Sequence, residues 1–177
     1  MQQIPIDDEG RFAGYASVFD RLDESGDIVL RGAFRNSLAK RGQERIRMLF
    51  QHDPKEPVGV WETIAEDGFG LWVEGRLTPG VPRADALRRL IERRAIDGLS
   101  IGFRTVKAKR EGTGHRSLTE IDLWEISIVT FPMMDAARIV RSVPASRRGY
   151  GPAVGDAPPQ SRRMARSLEA AITLLNQ

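Results

Sequence analysis

Cysteine is absent from this chain, and only two histidines, His52 and His115, occur among its 177 residues. The lack of cysteine excludes disulfide bonds and thiolate chemistry. With so few imidazole and sulfur ligands, the sequence predicts no zinc site, and nothing in it indicates another metal or a cofactor. No apolar run approaches the ~20 residues of a membrane span, and the first residues lack the basic and then apolar pattern of a signal peptide. We therefore expect a soluble cytoplasmic protein without membrane contact.

Positive charge is unevenly distributed along the chain. Residues 138–177 hold seven arginines against Asp156 and Glu169, a net charge of +5, whereas residues 1–137 hold 20 basic and 22 acidic residues, a net charge of −2. A basic tail can bind nucleic acid or an acidic protein surface, but it can also be a solvated linker. Residues 141–161 are rich in Pro, Gly and Ser, which is typical of a disordered linker. We expect one domain over residues 1–140, this linker, and a short helix or tail over 162–177.

Short strand-like segments dominate the predicted domain. Alternating or continuous apolar residues predict strands at 11–19, 28–30, 46–52, 58–67, 71–77, 99–110 and 118–130. Apolar residues at helical spacing predict helices over 32–42, where Gly42 is the stop signal, and over 78–96. Many strands and two helices predict an α+β fold, a mostly antiparallel β-barrel or sandwich flanked by helices.

Three predicted strands carry the residue types of acyl-transfer chemistry. His52 ends one strand, Ser100 lies in DGLSIGF (97–103) and Glu125 in DLWEISIVTFP (122–132). A base, a hydroxyl nucleophile and a carboxylate that orients the base would form a hydrolytic site if the sheet brought them together. Because His115 lies in a polar loop, such a site would have to use His52. Simpler roles remain open: a serine on a solvated strand face, a structural histidine, and a glutamate paired with an arginine.

The strand pattern assigns faces to these residues. Alternation places Ser100 on the same face as Gly102 and places Glu125 on the same face as Leu123. Glu120 and Asp122 are competing acids. The segment GLSIG also matches the nucleophile-elbow pattern, but that motif requires a strand, a turn and a helix, and here the strand continues. We interpret the match as a coincidence.

Four blocks of sequence together resemble a known family. They are GYASVFDRLDESGDIVLRGAF (14–34), MLFQHDPKEPVGVW (48–61), DGLSIGFRTV (97–106) and LWEISIVTFPMMDAARI (123–139). In order and spacing they are similar to the prohead (procapsid) maturation proteases of tailed phages, a family related to the herpesvirus assemblin fold. The similarity covers roughly residues 10–140 and implies an assemblin-like domain.

The resemblance assigns a role to each candidate site residue. It makes Ser100 the nucleophile, His52 its general base and Glu125 the third member, where the herpesvirus relatives have a second histidine. Those relatives also build an oxyanion hole with two arginines. The comparable segment, residues 132–134, has no arginine before Arg138, so we expect backbone amides to donate instead.

The implied function is serine endopeptidase activity during capsid maturation. The expected substrates are the scaffolding segment of the major capsid protein, other prohead proteins and the chain itself, cut in its linker. A homodimer is expected because the herpesvirus relatives are activated by dimerisation. The protein would act inside the prohead, in the bacterial host cytoplasm, and could belong to a phage, a prophage or a gene transfer agent. The alternatives are a non-catalytic capsid-assembly protein of the same fold, another hydrolase such as an esterase, and a nucleic-acid-binding β-barrel, which the few exposed aromatics disfavour.

Overall fold

A computed structural model describes residues 5–110, 112 and 114–141. In this part of the chain, eight strands form a single sheet that curls into a half-barrel. The strands are β1 (Arg11–Val18), β2 (Asp27–Val29), β3 (Arg47–Phe50), β4 (Asp53–Glu66), β5 (Gly70–Leu77), β6 (Gly98–Arg110), β7 (Arg116–Val129) and β8 (Ile139–Arg141). The helices are α1 (Arg35–Arg41) and α2 (Pro82–Glu92), and a 3₁₀ turn spans Gln43–Arg45. Apart from residue 141, the predicted linker and the 162–177 tail lie outside the described residues.

Strand β7 is the branch point of the sheet. The strand order is β2-β7-β3-β4-β5-β1-β8, and β6 pairs with the opposite side of β7. Five strand pairs are antiparallel, as predicted, but β2 and β3 both run parallel to β7. Parallel neighbours require a long connection, and here residues 30–115 join β2 to β7 and residues 51–115 join β3 to β7. Neither helix of the described ranges is long and apolar enough to cross a bilayer.

The helix predictions hold with shorter boundaries. In α2 the buried residues are Ala84, Leu87 and Ile91, which repeat at helical spacing, and Pro82 occupies the first turn. Helix α1 ends at Gly42, as predicted, but begins three residues late, because Gly32 is in a left-handed conformation and residues 31–34 form a turn. Helix α1 packs on β7, where the Leu123 N–H donates to Ser37 Oγ at 2.8 Å.

The strand predictions need one addition and one correction. Strand β8 was not predicted; it pairs with β1, whose Gly14 comes very close to it. A Cβ built on Gly14 would lie 2.1 Å from the Arg138 carbonyl oxygen. The predicted strand over 46–52 ends at Phe50, so His52 lies in a turn. The contact at Gly14 is between two backbones, so no side-chain rotation can relieve it.

We expect Gly14→Ala to lower the free energy of unfolding by about 1–3 kcal/mol, because the added methyl group forces β1 and β8 apart. Urea unfolding monitored by circular dichroism measures the change. The matched control is Gly112→Ala, since a Cβ there meets no atom within 4 Å, and its effect should stay within about 0.5 kcal/mol. Equal stability of the two variants would contradict the packing described here.

Candidate active site

Ser100 is held near the start of β6, which is fixed on both sides. The Leu99 N–H donates to the Ala137 carbonyl at 2.9 Å, and Leu99 is fully buried. On the opposite side, Ser100 lies across from Ser127 of β7. Only 7% of the Ser100 surface is exposed. The backbone of Ser100 is therefore fixed, and its hydroxyl has little room to change position.

His52 lies in a two-residue turn between β3 and β4. Phe50 pairs with Asp53, and the intervening Gln51 and His52 have φ angles of 54° and 58°. Two successive left-handed residues are typical of a type I′ hairpin turn, which Asn-Gly usually forms. Each non-glycine residue in this conformation costs roughly 1–2 kcal/mol. The sequence prediction of a strand here was wrong because Gln-His is not a recognised turn signal.

Strand β7 and the residue that follows it hold this turn in place with four hydrogen bonds. The Gln51 N–H donates to the Ile128 carbonyl at 3.0 Å, and the His52 N–H donates to Ser127 Oγ at 3.1 Å. Just beyond the strand, the Gln51 side-chain amide donates to Thr130 Oγ1 at 2.8 Å, and the Thr130 N–H donates to Gln51 Oε1 at 3.3 Å. The left-handed backbone and these bonds together set the direction of the His52 ring.

The three predicted residues lie in one hydrogen-bonded row. His52 Nε2 is 3.0 Å from Ser100 Oγ, and His52 Nδ1 is 2.6 Å from Glu125 Oε1. The second Glu125 oxygen accepts a hydrogen bond from Ser127 Oγ at 2.6 Å. This is the arrangement in which a carboxylate orients an imidazole and the imidazole can take a proton from a hydroxyl.

Glu125 raises the pKa of His52 above its ordinary value. The largest cause is the hydrogen bond to the Glu125 carboxylate; partial burial opposes it, and the negative charge of Glu125 adds to it. The ring is 44% exposed. A base with a raised pKa binds the proton of the nucleophile more strongly, and the carboxylate stabilises the imidazolium that results.

A bulge in β7 turns Glu125 toward His52. Gly102 pairs with Glu125 and the next residue of β6, Phe103, pairs with Leu123, so Trp124 is an extra residue in β7. Leu123 is fully buried while Trp124 is 53% exposed. The predicted shared face of Leu123 and Glu125 is therefore wrong, because one inserted residue reverses the alternation.

The competing acids are engaged elsewhere. Asp122 accepts a hydrogen bond from Arg41 at 2.7 Å, and Glu120 accepts one from the Asn36 amide at 3.0 Å. Asp53, the neighbour of His52, accepts a bond from the Lys55 N–H at 2.8 Å. Of these carboxylates, none replaces Glu125 as the partner of His52.

Gly102 provides the space that the Glu125 carboxylate occupies. A Cβ built on Gly102 would lie 1.9 Å from Glu125 Oε1. The sequence pattern placed Gly102 only on the same strand face as Ser100. Its role toward Glu125 follows from the cross-strand pairing of the two residues, which the sequence does not specify. The contacts of Ser127 with Glu125 and His52 also could not be predicted from the sequence.

A cleft of about 190 Å³ adjoins Ser100 and His52. Its walls are largely apolar, with Val29, Leu99 and Ile101 on one part and Met133 and Met134 on another. No arginine lines the cleft in the described ranges, and within them no cluster of three or more His, Asp or Glu side chains is suited to a metal ion.

Arg138, the first arginine after β7, is not directed to Ser100. Its guanidinium donates to Asp97 at 2.7 Å and to Asp135 at 2.5 Å. These bonds fix the segment that precedes β8 against the start of β6. The expectation that backbone amides form the oxyanion hole remains a prediction.

Residues 2–148 match the family described as Caudovirus prohead serine protease. The chain belongs to this family. It is also 42% identical, over 134 residues, to the prohead protease of Enterobacteria phage HK97. That alignment covers 74% of this chain and 59% of the relative, so the chain spans less than two thirds of the length of the curated protein it matches.

Two solved structures have the same fold as this chain. The bacteriophage T4 capsid assembly protease is 14% identical with a TM-score of 0.58, covering 73% of this chain and 89% of its own. The KSHV protease, solved with a hexapeptide phosphonate inhibitor, is 12% identical with a TM-score of 0.53, covering 91% of this chain and 76% of its own. The predicted likeness to the assemblin fold is confirmed at the level of the fold.

We expect Glu125→Gln to lower the pKa of His52, because the carboxylate supplies both contributions that raise it. Histidine NMR signals titrated from acid to alkaline pH measure the change, and His115 in the same spectrum serves as the internal reference. A base must be neutral to act, so wild-type activity should fall as the pH drops through the raised pKa. In the variant this acid limb should move to lower pH while the maximal rate falls. An unchanged His52 titration would contradict the assigned pair.

We expect Gly102→Ala to displace the Glu125 carboxylate, since the new methyl group would overlap its position. The His52 pKa should fall in the same direction as in Glu125→Gln, although both members of the pair are still present. The control is Gly68→Ala, where a Cβ meets nothing closer than 3.9 Å. A His52 titration identical to that of the control would show that the carboxylate does not depend on the space at Gly102.

Proposed function

We propose that this chain is a serine endopeptidase in which Ser100 is the nucleophile, His52 the general base and Glu125 the residue that orients the base. This proposal rests on the continuous row from Ser100 through His52 to Glu125. The distance from Ser100 Oγ to His52 Nε2 is 3.0 Å, and that from His52 Nδ1 to Glu125 Oε1 is 2.6 Å. Membership of the prohead serine protease family supports this reaction class.

The proposed reaction follows from these contacts. His52 Nε2 takes the proton of Ser100 Oγ as the oxygen attacks the scissile carbonyl and a tetrahedral intermediate forms. His52 gives this proton to the amine as the C–N bond breaks, which leaves the acyl-enzyme. His52 then takes a proton from the water that attacks the ester and returns it to Ser100 Oγ as the acid product leaves. Glu125 keeps the proton on Nδ1, so that Nε2 faces Ser100 as the acceptor. Ser127 holds both Glu125 and the His52 backbone, and we assign it a positioning role.

We propose that backbone amides of the segment after β7 stabilise the oxyanion. Met133 and Met134 border the cleft beside Ser100, and the arginine of this region is paired with two carboxylates. The Glu24 N–H donates to the Met133 carbonyl at 3.0 Å, which fixes the segment to the loop after β1. Amides on such a fixed segment can stabilise developing charge without reorganisation.

We infer that the substrates are prohead proteins. The names of the family and of the phage HK97 relative support this inference. The expected targets are the scaffolding segment of the major capsid protein, other proteins of the shell and the chain itself, and a homodimer remains part of the proposal. The site of action would be the interior of the prohead in the host cytoplasm, whether the source is a phage, a prophage or a gene transfer agent.

Co-expression with the cognate capsid protein tests the proposal. We expect intact-mass spectrometry to show that the capsid protein loses a defined terminal segment with the wild type but stays full-length with Ser100→Ala. Removal of the nucleophile or of the base should reduce the rate by several orders of magnitude. His52→Ala should therefore abolish the cut.

The second histidine of the chain provides the matched control. His115→Ala should leave the cut unchanged, because His115 is not part of the row. If the wild type leaves the capsid protein at full length although shells assemble, the endopeptidase proposal is wrong. The alternative function, a non-catalytic capsid-assembly protein of the same fold, would then be favoured.

A further inference from the structure

A second concave site lies between α1 and the paired strands β6 and β7. This groove has a volume of about 350 Å³ and is distinct from the cleft at Ser100. We call it the α1 groove. Its charged lining residues are four cations and two carboxylates, a net charge of +2: Lys40, Arg41, Arg45, Arg104, Glu120 and Asp122.

Both carboxylates of the α1 groove already accept hydrogen bonds from side chains of the chain itself. Asp122 accepts bonds from Arg41 at 2.7 Å and from the Trp124 indole at 2.8 Å, and Arg104 lies 3.7 Å away. Glu120 pairs with Lys107 and with an amide of α1. These interactions lower the pKa of both carboxyl groups, chiefly through the hydrogen bonds from Lys107 to Glu120 and from Arg41 to Asp122. The negative charge of both carboxylates is therefore compensated by cations of the chain itself.

The excess positive charge resides on Lys40 and Arg45. Both side chains are exposed, and neither forms an ion pair with another residue of the described ranges. The Nε atom of Arg41 is buried without a hydrogen-bond partner in the same part of the chain. The groove thus presents two cations that are free of ion pairs, whereas the Arg41 Nε atom is not accessible to a ligand.

Apolar surface adjoins these charges. Val106 lines the groove and is 47% exposed, and the Trp124 ring, 53% exposed, lies 5.9 Å from the Arg41 guanidinium. Cations beside exposed apolar side chains suit a polypeptide that carries both carboxylates and apolar residues.

We propose that the α1 groove binds an acidic, extended segment of a protein partner. Arg104 follows Ser100 by four residues on β6, so the groove lies about 13 Å from the nucleophile along the strand. One extended chain could occupy the cleft and the groove if its acidic stretch lay at least about four residues from the scissile bond. That the partner is a substrate rests on the proposed function; the binding itself does not.

Charge argues against other occupants. The chain's own residues 142–177 hold five arginines against two carboxylates, a net charge of +3, and would be repelled. Nucleic acid would meet only two free cations and would place its phosphates near Glu120 and Asp122. An acidic peptide, with separate carboxylates, can avoid these two groups.

The test measures binding to the full chain carrying Ser100→Ala, so that no cleavage occurs. The probe is a fluorescein-labelled 12-residue peptide of alternating Glu and Leu or Ala, and its control replaces each Glu by Gln. Fluorescence anisotropy at low salt should show binding of the Glu peptide only. We expect Lys40→Glu with Arg45→Glu to weaken this binding by about tenfold or more, since two attractions become repulsions.

The matched control variant is Lys55→Glu with Arg89→Glu, which changes the net charge equally at exposed residues outside the groove. Its affinity should stay within about twofold of the parent, a range that general screening effects can explain. An equal loss in both variants, or no binding of the Glu peptide, overturns the proposal. Stronger binding of a single-stranded oligonucleotide that also depends on Lys40 and Arg45 overturns it in favour of a nucleic-acid site.

The two proposals can fail separately. If the acidic peptide binds through Lys40 and Arg45 but the wild type cleaves no prohead protein, the groove is supported and the endopeptidase proposal fails. If cleavage occurs and the peptide does not bind, only the groove is wrong.

Discussion

The hydrogen bonds from the Gln51–His52 turn to β7 are the constraint on which the site depends. Both turn residues have left-handed backbones. The two residues together cost roughly 2–4 kcal/mol in this conformation. Four hydrogen bonds offset this at about 1 kcal/mol each: one to the Ile128 carbonyl, one to Ser127 Oγ and two with Thr130. The strain and its compensation are thus of similar size, and the strand that stabilises the turn also carries Glu125.

Strand β7 explains why a small sheet can hold a three-residue site. It pairs with β6, which carries Ser100, and with β3, which leads into the His52 turn. The bulge at Trp124 and the space at Gly102 allow the Glu125 carboxylate to reach His52 Nδ1. The same strand pair continues to Asp122 and Arg104 in the α1 groove. Residues of one strand pair therefore line both the cleft and the groove, so a partner that occupies both would have a register set by that pair.

The sequence analysis selected three residues that lie in one hydrogen-bonded row, but it did not predict how the fold places them. Residue types and strand patterns indicated a possible hydrolase, and only the family resemblance assigned roles to His52, Ser100 and Glu125. Local sequence patterns identified β4 and β5 by their alternation, β1 by its apolar run and α2 by its helical spacing of apolar residues. They failed at His52, where tertiary hydrogen bonds impose a turn on residues that do not favour one, and at Leu123, where a bulge shifts the alternation. Strand β8 has only three residues, and its backbone can approach β1 because Gly14 has no side chain at the point of contact.

Labelling with a fluorophosphonate, which reacts with an activated serine hydroxyl, tests directly whether His52 activates Ser100. We expect a single adduct, which peptide mass spectrometry locates on Ser100, and its loss in His52→Ala but not in His115→Ala. The adduct should form more slowly in Glu125→Gln, since the base is then less well oriented. Absence of the adduct in wild-type protein that is folded and assembled with its partners, or labelling of Ser100 that is unaffected by His52→Ala, would show that Ser100 is not activated by His52.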